Sequence, residues 1–326
     1  MRPHPLPLLA LLLALSDCRV IVQRECDDRD LEPLPLTTAG RLNAVAVVAA
    51  VGDGINYGVA IAGDDGLLAI STAPSLPFTV DHPVSVDLHA VTGGPERLVF
   101  AVGAAGTVLG THLDPVAWQS FPAGTTADLW GVAWLQAHPA APVLAVGDEV
   151  VLRRDPGDGQ WRPLTPPGPG WGRLRAVFSD DRRIYVAGLG GAMWSTTDLD
   201  TWAPEEPGTD ADLLAGTFTA FDRHLIVVGS DGTALQRIDA WTPLPGEFTG
   251  TLVAASPGYL LAADGSLYSL SDFDHAYGED PPPPVVRLPW SLPGARALTN
   301  EGDFTDLILV GDAGLAERLG SFCEED

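Results

Sequence analysis

The sequence predicts an all-β fold, a closed ring of seven four-stranded sheets, from three observations: a phrase written seven times, its regular spacing, and a composition rich in turn formers. The phrase is an apolar run ending in a small residue, a turn, and a second apolar stretch. Its copies are "GVAIAGDDGLLAIST", "RLVFAVGAAGTVLGT", "APVLAVGDEVVLRR", "RIYVAGLGGAMWSTT", "HLIVVGSDGTALQR", "GYLLAADGSLYSLS" and "DLILVGDAGLAERL". The small-residue anchors Gly63, Gly103, Gly147, Gly188, Gly229, Ala262 and Gly311 are separated by 40, 44, 41, 41, 33 and 49 residues, a mean of about 41. The 36 glycines and 29 prolines among 326 residues suit many short strands better than long helices.

Each element of the unit has its own justification. A second glycine follows the anchor by three positions at Gly66, Gly106, Gly191, Gly232, Gly265 and Gly314, as a hairpin turn with positive φ requires; the third unit has Val150 there. Upstream of each anchor a short apolar stretch, such as "LNAVAVV", "LHAVTG" or "LWGVAW", reads as an inner strand. Downstream, the first five units carry an aromatic residue, Phe78, Trp118, Trp161, Trp202 or Trp241, followed within five positions by a proline. Large aromatics at a fixed place in successive units are expected to pack between neighbouring sheets, with the indole N–H finding a partner. Four short strands every 40 to 45 residues describe one blade, so the chain is expected to form a seven-bladed β-propeller.

Ring closure follows from what the last unit lacks. It ends soon after its third strand, "LAERL" at 315–319, while "DLEPLPLTTAGRLNAVAV" at 30–47 aligns with a fourth strand leading into an inner strand. Residues 30–36 are therefore expected to complete the seventh blade and cover its open edge. Cys26 and Cys323 would then flank an ordinary turn, a geometry suited to a disulfide.

The beginning of the chain reads as an address. Arg2 precedes an apolar run from Leu6 to Leu15 that is too short to span a bilayer, so residues 1–17 are expected to be an export signal, 18–29 a tail and 30–326 a single propeller domain. Leu15, Ser16, Asp17 and Cys18 resemble the lipobox of bacterial lipoproteins, with Asp17 where that family has a small residue. The resemblance, and the odd cysteine left by a Cys26–Cys323 pair, imply lipid on Cys18; the alternatives are a cleaved signal with release of an extracellular protein, and an uncleaved anchor.

"STTDLDTW" at 195–202 resembles the Asp-box turn of sialidase-like propellers, with Thr196, Asp198 and Trp202 in the matching roles and Asp200 where the family has glycine. The repeat as a whole is similar to sialidase-repeat and photosystem II assembly-factor propellers. That resemblance implies a structural turn between third and fourth strands. A sialidase would also be expected to bring together an arginine triad, a tyrosine–glutamate pair and an acid/base; Arg175, Arg223 and Arg296 lie in or near inner strands, whereas Tyr185 and Tyr259 sit in apolar runs that read as core.

Little else points to chemistry. The net charge is -25, and all 18 basic residues are arginine, which argues against nucleic acid or an anionic membrane face as partner. No phosphate-binding glycine loop with lysine and no nucleophile elbow occurs, and the seven histidines have no metal-ligand spacing. The acidic loops at 52–56, 63–66, 155–159 and 272–280 offer oxygen ligands of the kind calcium takes, but none has a calcium-loop spacing and aspartate with glycine is ordinary turn chemistry. Pro281 to Pro284 read as an exposed extended insertion. The expected function is that of a non-catalytic exported scaffold, monomeric, that binds a protein in the periplasm or on the envelope without cofactors; the alternative is a degenerate glycan-binding or glycan-cleaving propeller.

Overall fold

The structure, a computed structural model, describes residues 31–48, 57–73, 75–135, 141–167, 170–180, 182–219, 224–270, 285–300 and 307–319. The expected export signal, Cys18, Cys26 and Cys323, Arg223, the loops 52–56 and 272–280, and Pro281 to Pro284 lie outside these residues. There is consequently no cysteine, and no disulfide, among the described residues.

Seven four-stranded antiparallel sheets form the molecule. Their inner strands are Leu42–Val48, Leu88–Gly93, Leu129–Trp134, Leu174–Ser179, Leu213–Thr219, Leu252–Ser256 and Ala295–Asn300, taken here as the starts of blades 1 to 7. Each inner strand touches those of the blades on either side, blade 7 meeting blade 1, so the ring is closed. The second strands end on the anchors read from sequence, and the third strands follow after a tight turn.

The anchor glycine has a steric reason that the turn alone does not supply. A Cβ on Gly63, Gly103, Gly188 or Gly229 would lie 2.2, 2.1, 2.1 or 1.7 Å from the carbonyl oxygen of the residue that precedes the inner strand of the same blade. The second glycine combines the expected positive φ with an equally close approach: Gly66, at φ +72, would put a Cβ 1.9 Å from Val84 O. Unit three escapes by a shorter turn through Asp148 and Glu149, the latter at φ 60. Unit six has Ala262 as anchor and keeps the bond found in every unit, here from Ala263 N to Thr251 O at 2.8 Å.

The outer strands explain the prolines. Leu31–Pro33, Trp161–Pro163, Ala203–Pro204, Trp241–Pro243 and Val286–Ser291, which contains Pro289, all carry one. An outer strand pairs on one side only, so proline removes no ladder hydrogen bond there and blunts an edge open to foreign strands.

Closure occurs as expected. Leu31–Pro33 pairs antiparallel with Ala316–Leu319, Leu31 opposite Leu319 and Pro33 opposite Glu317, supplying the fourth strand of blade 7. Leu34, 6% exposed, continues into the seam between blades 7 and 1 with Leu42, Val59, Ile308 and Val310. The core is thus seven separate seams rather than one centre. Phe78, Trp118, Trp161, Trp202 and Trp241 pack into the successive seams 7/1, 1/2, 2/3, 3/4 and 4/5.

The indole N–H groups correct one expectation. Trp241 donates to Glu205 Oε2 at 3.1 Å, but the buried Nε1 atoms of Trp161 and Trp202 have no acceptor. Their indoles stand edge-on to rings instead, Trp161 to Phe100 at 5.7 Å and Trp202 to Trp171 at 5.1 Å. Aromatic contact there takes the place of a polar one.

Candidate functional site at one mouth of the ring

Every inner strand carries a β-bulge at its second residue. The register slips between Leu42 and Ala44, Leu88 and Ala90, Leu129 and Gly131, Leu174 and Ala176, Leu213 and Ala215, Leu252 and Ala254, and Ala295 and Ala297. A bulge leaves one residue out of the ladder and re-aims its side chain. The seven bulged residues are Asn43, His89, Trp130, Arg175, Leu214, Val253 and Arg296, and they form a belt at the end of the ring where the inner strands begin. Their flanking residues Leu42, Leu88, Leu129, Leu174, Leu213 and Leu252 are fully buried, whereas the bulged ones are at least partly exposed.

The belt is tied tangentially, each side chain reaching toward a neighbouring blade or turn. Asn43 Nδ2 donates to Leu88 O of blade 2 at 3.0 Å and to Asp64 Oδ1 at 2.8 Å. His89 Nδ1 lies 3.0 Å from Leu129 O of blade 3, a contact that makes Nδ1 the protonated nitrogen and leaves Nε2 as an acceptor. The His89 ring stacks on Trp130 at 4.0 Å, and the Arg175 guanidinium covers a Trp130 ring at 4.4 Å. Arg175 in turn donates to Asp148 Oδ1 and Leu174 O, both at 2.8 Å. The Trp130 indole N–H, shielded from solvent, has no acceptor.

Carboxylates frame this belt. Asp87, Asp128 and Asp212, each just before an inner strand, accept the backbone N–H of Asp65, Ala105 and Gly190 in the preceding blade at 3.0, 2.8 and 2.9 Å. Those acceptors hold turn residues that have positive φ, so the frame is repeated around the ring. Across the closing seam, Asp312 of blade 7 meets Arg296 at 2.5 Å and Arg41 of blade 1 at 3.2 Å, and Arg41 also reaches Asp64 at 3.6 Å. The Arg296 hydrogen bond holds the Asp312 carboxyl below the usual carboxylate range.

A second polar cluster lies inside the seam between blades 4 and 5. Glu205, its side chain 9% exposed, accepts from Ser195 Oγ at 2.6 Å, Arg183 Nη1 at 3.4 Å and Trp241 Nε1 at 3.1 Å, with Arg237 Nη1 at 3.6 Å. Arg237 also donates to Tyr185 Oη at 2.5 Å. A serine hydroxyl on a carboxylate has the look of an activated nucleophile, but Ser195 is 1% exposed, so no substrate reaches it. The equivalent places in seam 2/3 show what the cluster replaces. There Phe100 stands for Tyr185, Gly110 for Ser195 and Phe121 for Glu205, with Arg154 again over the aromatic ring at 4.8 Å. The cluster is therefore a polar version of an apolar tie, its charge balanced by arginines on both blades.

Burial pushes the Tyr185 phenol up to about 12, against the pull of Arg237. A free phenol titrates at about 10, so Tyr185 contributes stability that is present below that pH and is lost as pH rises through its folded value. An ultraviolet phenolate titration should contain a fraction that appears only near pH 12. Tyr185→Phe should delete it; an unchanged curve would assign the fraction elsewhere.

The residues singled out in the sequence fall in different parts of the ring. Arg175 and Arg296 stand on the belt, while Tyr185 and Tyr259, each 2% exposed, are core, so arginines and tyrosines are not brought together at the mouth. Thr196, Asp198 and Trp202 form a tight turn between the third and outer strands of blade 4. Thr196 Oγ1 accepts the N–H of Leu199 at 3.0 Å, and Asp198 Oδ1 accepts those of Asp200 and Thr201 at 3.0 and 2.7 Å. These backbone bonds hold the Asp198 carboxyl low, and Trp202 closes the turn against Trp171. In the acidic loops, Asp155 pairs with Arg153 and Asp158 with Arg162. No metal-binding group of acidic, histidine or cysteine side chains occurs among the described residues. The belt itself was missed in the sequence; its signal is the second position of each inner strand, where polar or bulky residues interrupt an otherwise small and apolar pattern.

No family model matches the chain, and no curated protein matches it either. Among solved structures it resembles the RRP9 WD40 repeats, with a TM-score of 0.66 at 11% identity over 89% of this chain and 97% of that one. It resembles U3-55K with a TM-score of 0.67 at 12% identity over 90% of this chain and 98% of that one. At such identities the likeness establishes the β-propeller fold, and the fold alone.

Proposed function

We propose that this chain is an exported, non-catalytic propeller that binds a protein through the mouth at which its inner strands begin. The observation that carries the reading is the belt. One backbone device is repeated seven times, yet it presents asparagine, histidine, tryptophan, arginine, leucine, valine and arginine. A rigid repeated frame with a varied exposed position suits selective binding, whereas packing positions repeat in kind, as the buried leucines beside the belt do. The likeness to WD40 propellers supports an interaction role in general terms. The turn made by Thr196 and Asp198 is the one that membership of the Asp-box superfamily implies, and it supports that membership. The burial of Tyr185 and Tyr259 gives the glycan-cleaving alternative no support.

Export and lipid attachment at Cys18 belong to the same reading, as does a Cys26–Cys323 disulfide. The ladder ends with Leu31 opposite Leu319, so both cysteines follow within a few residues from one end of one strand pair. The test uses the mature protein recovered from culture supernatant or envelope. Non-reducing peptide mapping should place Cys26 and Cys323 in one linked species. Affinity capture should retain a protein that is lost with Trp130→Ala/Arg175→Ala but kept with Arg162→Ala at the other end. Equal retention by both variants would remove the mouth as the binding surface.

A further inference from the structure

Among the described residues the two ends of the ring differ in charge. At the mouth bearing the belt, the turns and pre-strand residues supply Asp64, Asp65, Asp128, Asp210, Asp231 and Asp264, among further carboxylates. The arginines described there are Arg41, Arg173, Arg175 and Arg296, with Arg287 reaching the turn at Asp264; Arg41, Arg175 and Arg296 already lie against Asp64, Asp148 or Asp312. At the opposite end, where the third strands finish, Arg97, Arg153, Arg154, Arg162, Arg183 and Arg237 offset the acidic residues. Among the described residues the unpaired negative charge thus lies mainly around this opening.

Inside the acidic rim the belt is not uniform. Leu214 and Val253, adjacent around the ring on blades 5 and 6, make an apolar sector and are partly exposed. The His89, Trp130 and Arg175 stack occupies the neighbouring stretch of the belt, on blades 2 to 4. An entering chain would need positive charge for the rim and apolar side chains for the Leu214 and Val253 sector and the partly exposed Trp130 ring. A polypeptide segment in which lysine or arginine alternates with leucine-like residues supplies both.

We infer that the mouth binds a basic, partly apolar segment of its partner protein. The inference rests on the protein-binding reading of the mouth and adds the partner's chemistry. Charge complementarity of this kind accelerates encounter and selects the partner, while the buried apolar contact sets the lifetime of the complex.

The probes are two fluorescein-labelled nonapeptides, one alternating lysine with leucine and one alternating glutamate with leucine, measured by anisotropy against the full mature protein. The basic peptide should bind, and its affinity should fall as salt rises, because the rim carboxylates are exposed. Neutralising three of them, Asp65→Asn/Asp210→Asn/Asp231→Asn, should weaken it about tenfold at low salt. Asparagine tolerates the positive φ of Asp65 and Asp231, so the turns should survive. The matched change at the other end, Glu96→Gln/Asp200→Asn/Asp239→Asn, should leave affinity within about twofold.

Equal weakening by both triple variants would reduce the effect to overall charge and overturn the inference, as would failure of the basic peptide to bind. Binding of the glutamate peptide that is abolished by Trp130→Ala would overturn the basic partner and leave the mouth as a protein site. Indifference of both peptides to Trp130→Ala and to the rim variant would remove both readings together.

Discussion

Removing residues 30–36 should lower the thermal midpoint by roughly 10 °C and turn a monodisperse protein into one that self-associates with concentration. The deletion takes the outer strand from blade 7, where Leu31, Glu32 and Pro33 pair with Leu319, Arg318 and Glu317. It also empties the place of Leu34 in the seam between blades 7 and 1, where burial of one leucine is worth about 2 kcal/mol and Leu36 packs alongside. Together with the lost ladder this amounts to roughly 5 kcal/mol, an upper figure because the unfolded chain already buries some apolar surface. The exposed edge of Ala316–Leu319 would then be free to accept a strand from another molecule. Calorimetry and light scattering read the two effects. A deletion protein that melted within about 2 °C of the parent and stayed monomeric would show that the ring does not depend on its borrowed strand.

Gly229→Ala should destabilise the protein by about 3 kcal/mol, among the largest effects of adding one methyl group anywhere in the chain. The new Cβ would stand 1.7 Å from Asp212 O, and backbone on both sides is held by the sheet: Gly229 pairs with Leu213, and Ser230 N donates to Asp212 O at 2.9 Å. Nothing flexible can yield. Gly157→Ala provides the contrast, because that glycine has no positive φ and a methyl group added there would meet no atom within 4 Å. It should fall within about 0.5 kcal/mol of the parent, or slightly above it through lower entropy in the unfolded chain. Urea unfolding of both variants checks the pair. Similar losses for the two would mean that the anchor glycines answer to turn preference alone, and not to the carbonyl seated against them.

The glycines of the repeat answer to two constraints at once. In the sequence the second glycines read as hairpin chemistry, and for Gly66, Gly106, Gly191, Gly232, Gly265 and Gly314 the positive φ is present. Tertiary structure adds the second constraint, since the chain entering the next inner strand passes over them. Gly106 faces Thr125 O at 2.1 Å and Gly314 faces Thr38 O at 1.9 Å, contacts between segments whose proximity no local pattern encodes.

Local pattern determined a great deal here. Apolar runs of strand length, glycines at a fixed offset and a period near 41 residues specify the blade, and seven blades with an incomplete last one specify closure by the residues near 31, because an unpaired strand edge and an unmatched strand have one economical solution. The candidate site was far less legible. Asn43, His89, Trp130, Arg175, Leu214, Val253 and Arg296 share no residue type, and what unites them is a bulge and a position around an opening, both properties of paired strands in three dimensions. The polar tie at Glu205 was equally hidden: Arg183, Ser195, Glu205, Arg237 and Trp241 come from two blades and meet only when those blades stack. Hydrophobic periodicity reports which side of a strand is buried, and so it fixes layers and blades. Which side chains converge depends on the angle and register at which one blade lies on the next, and that is decided by packing across the seams.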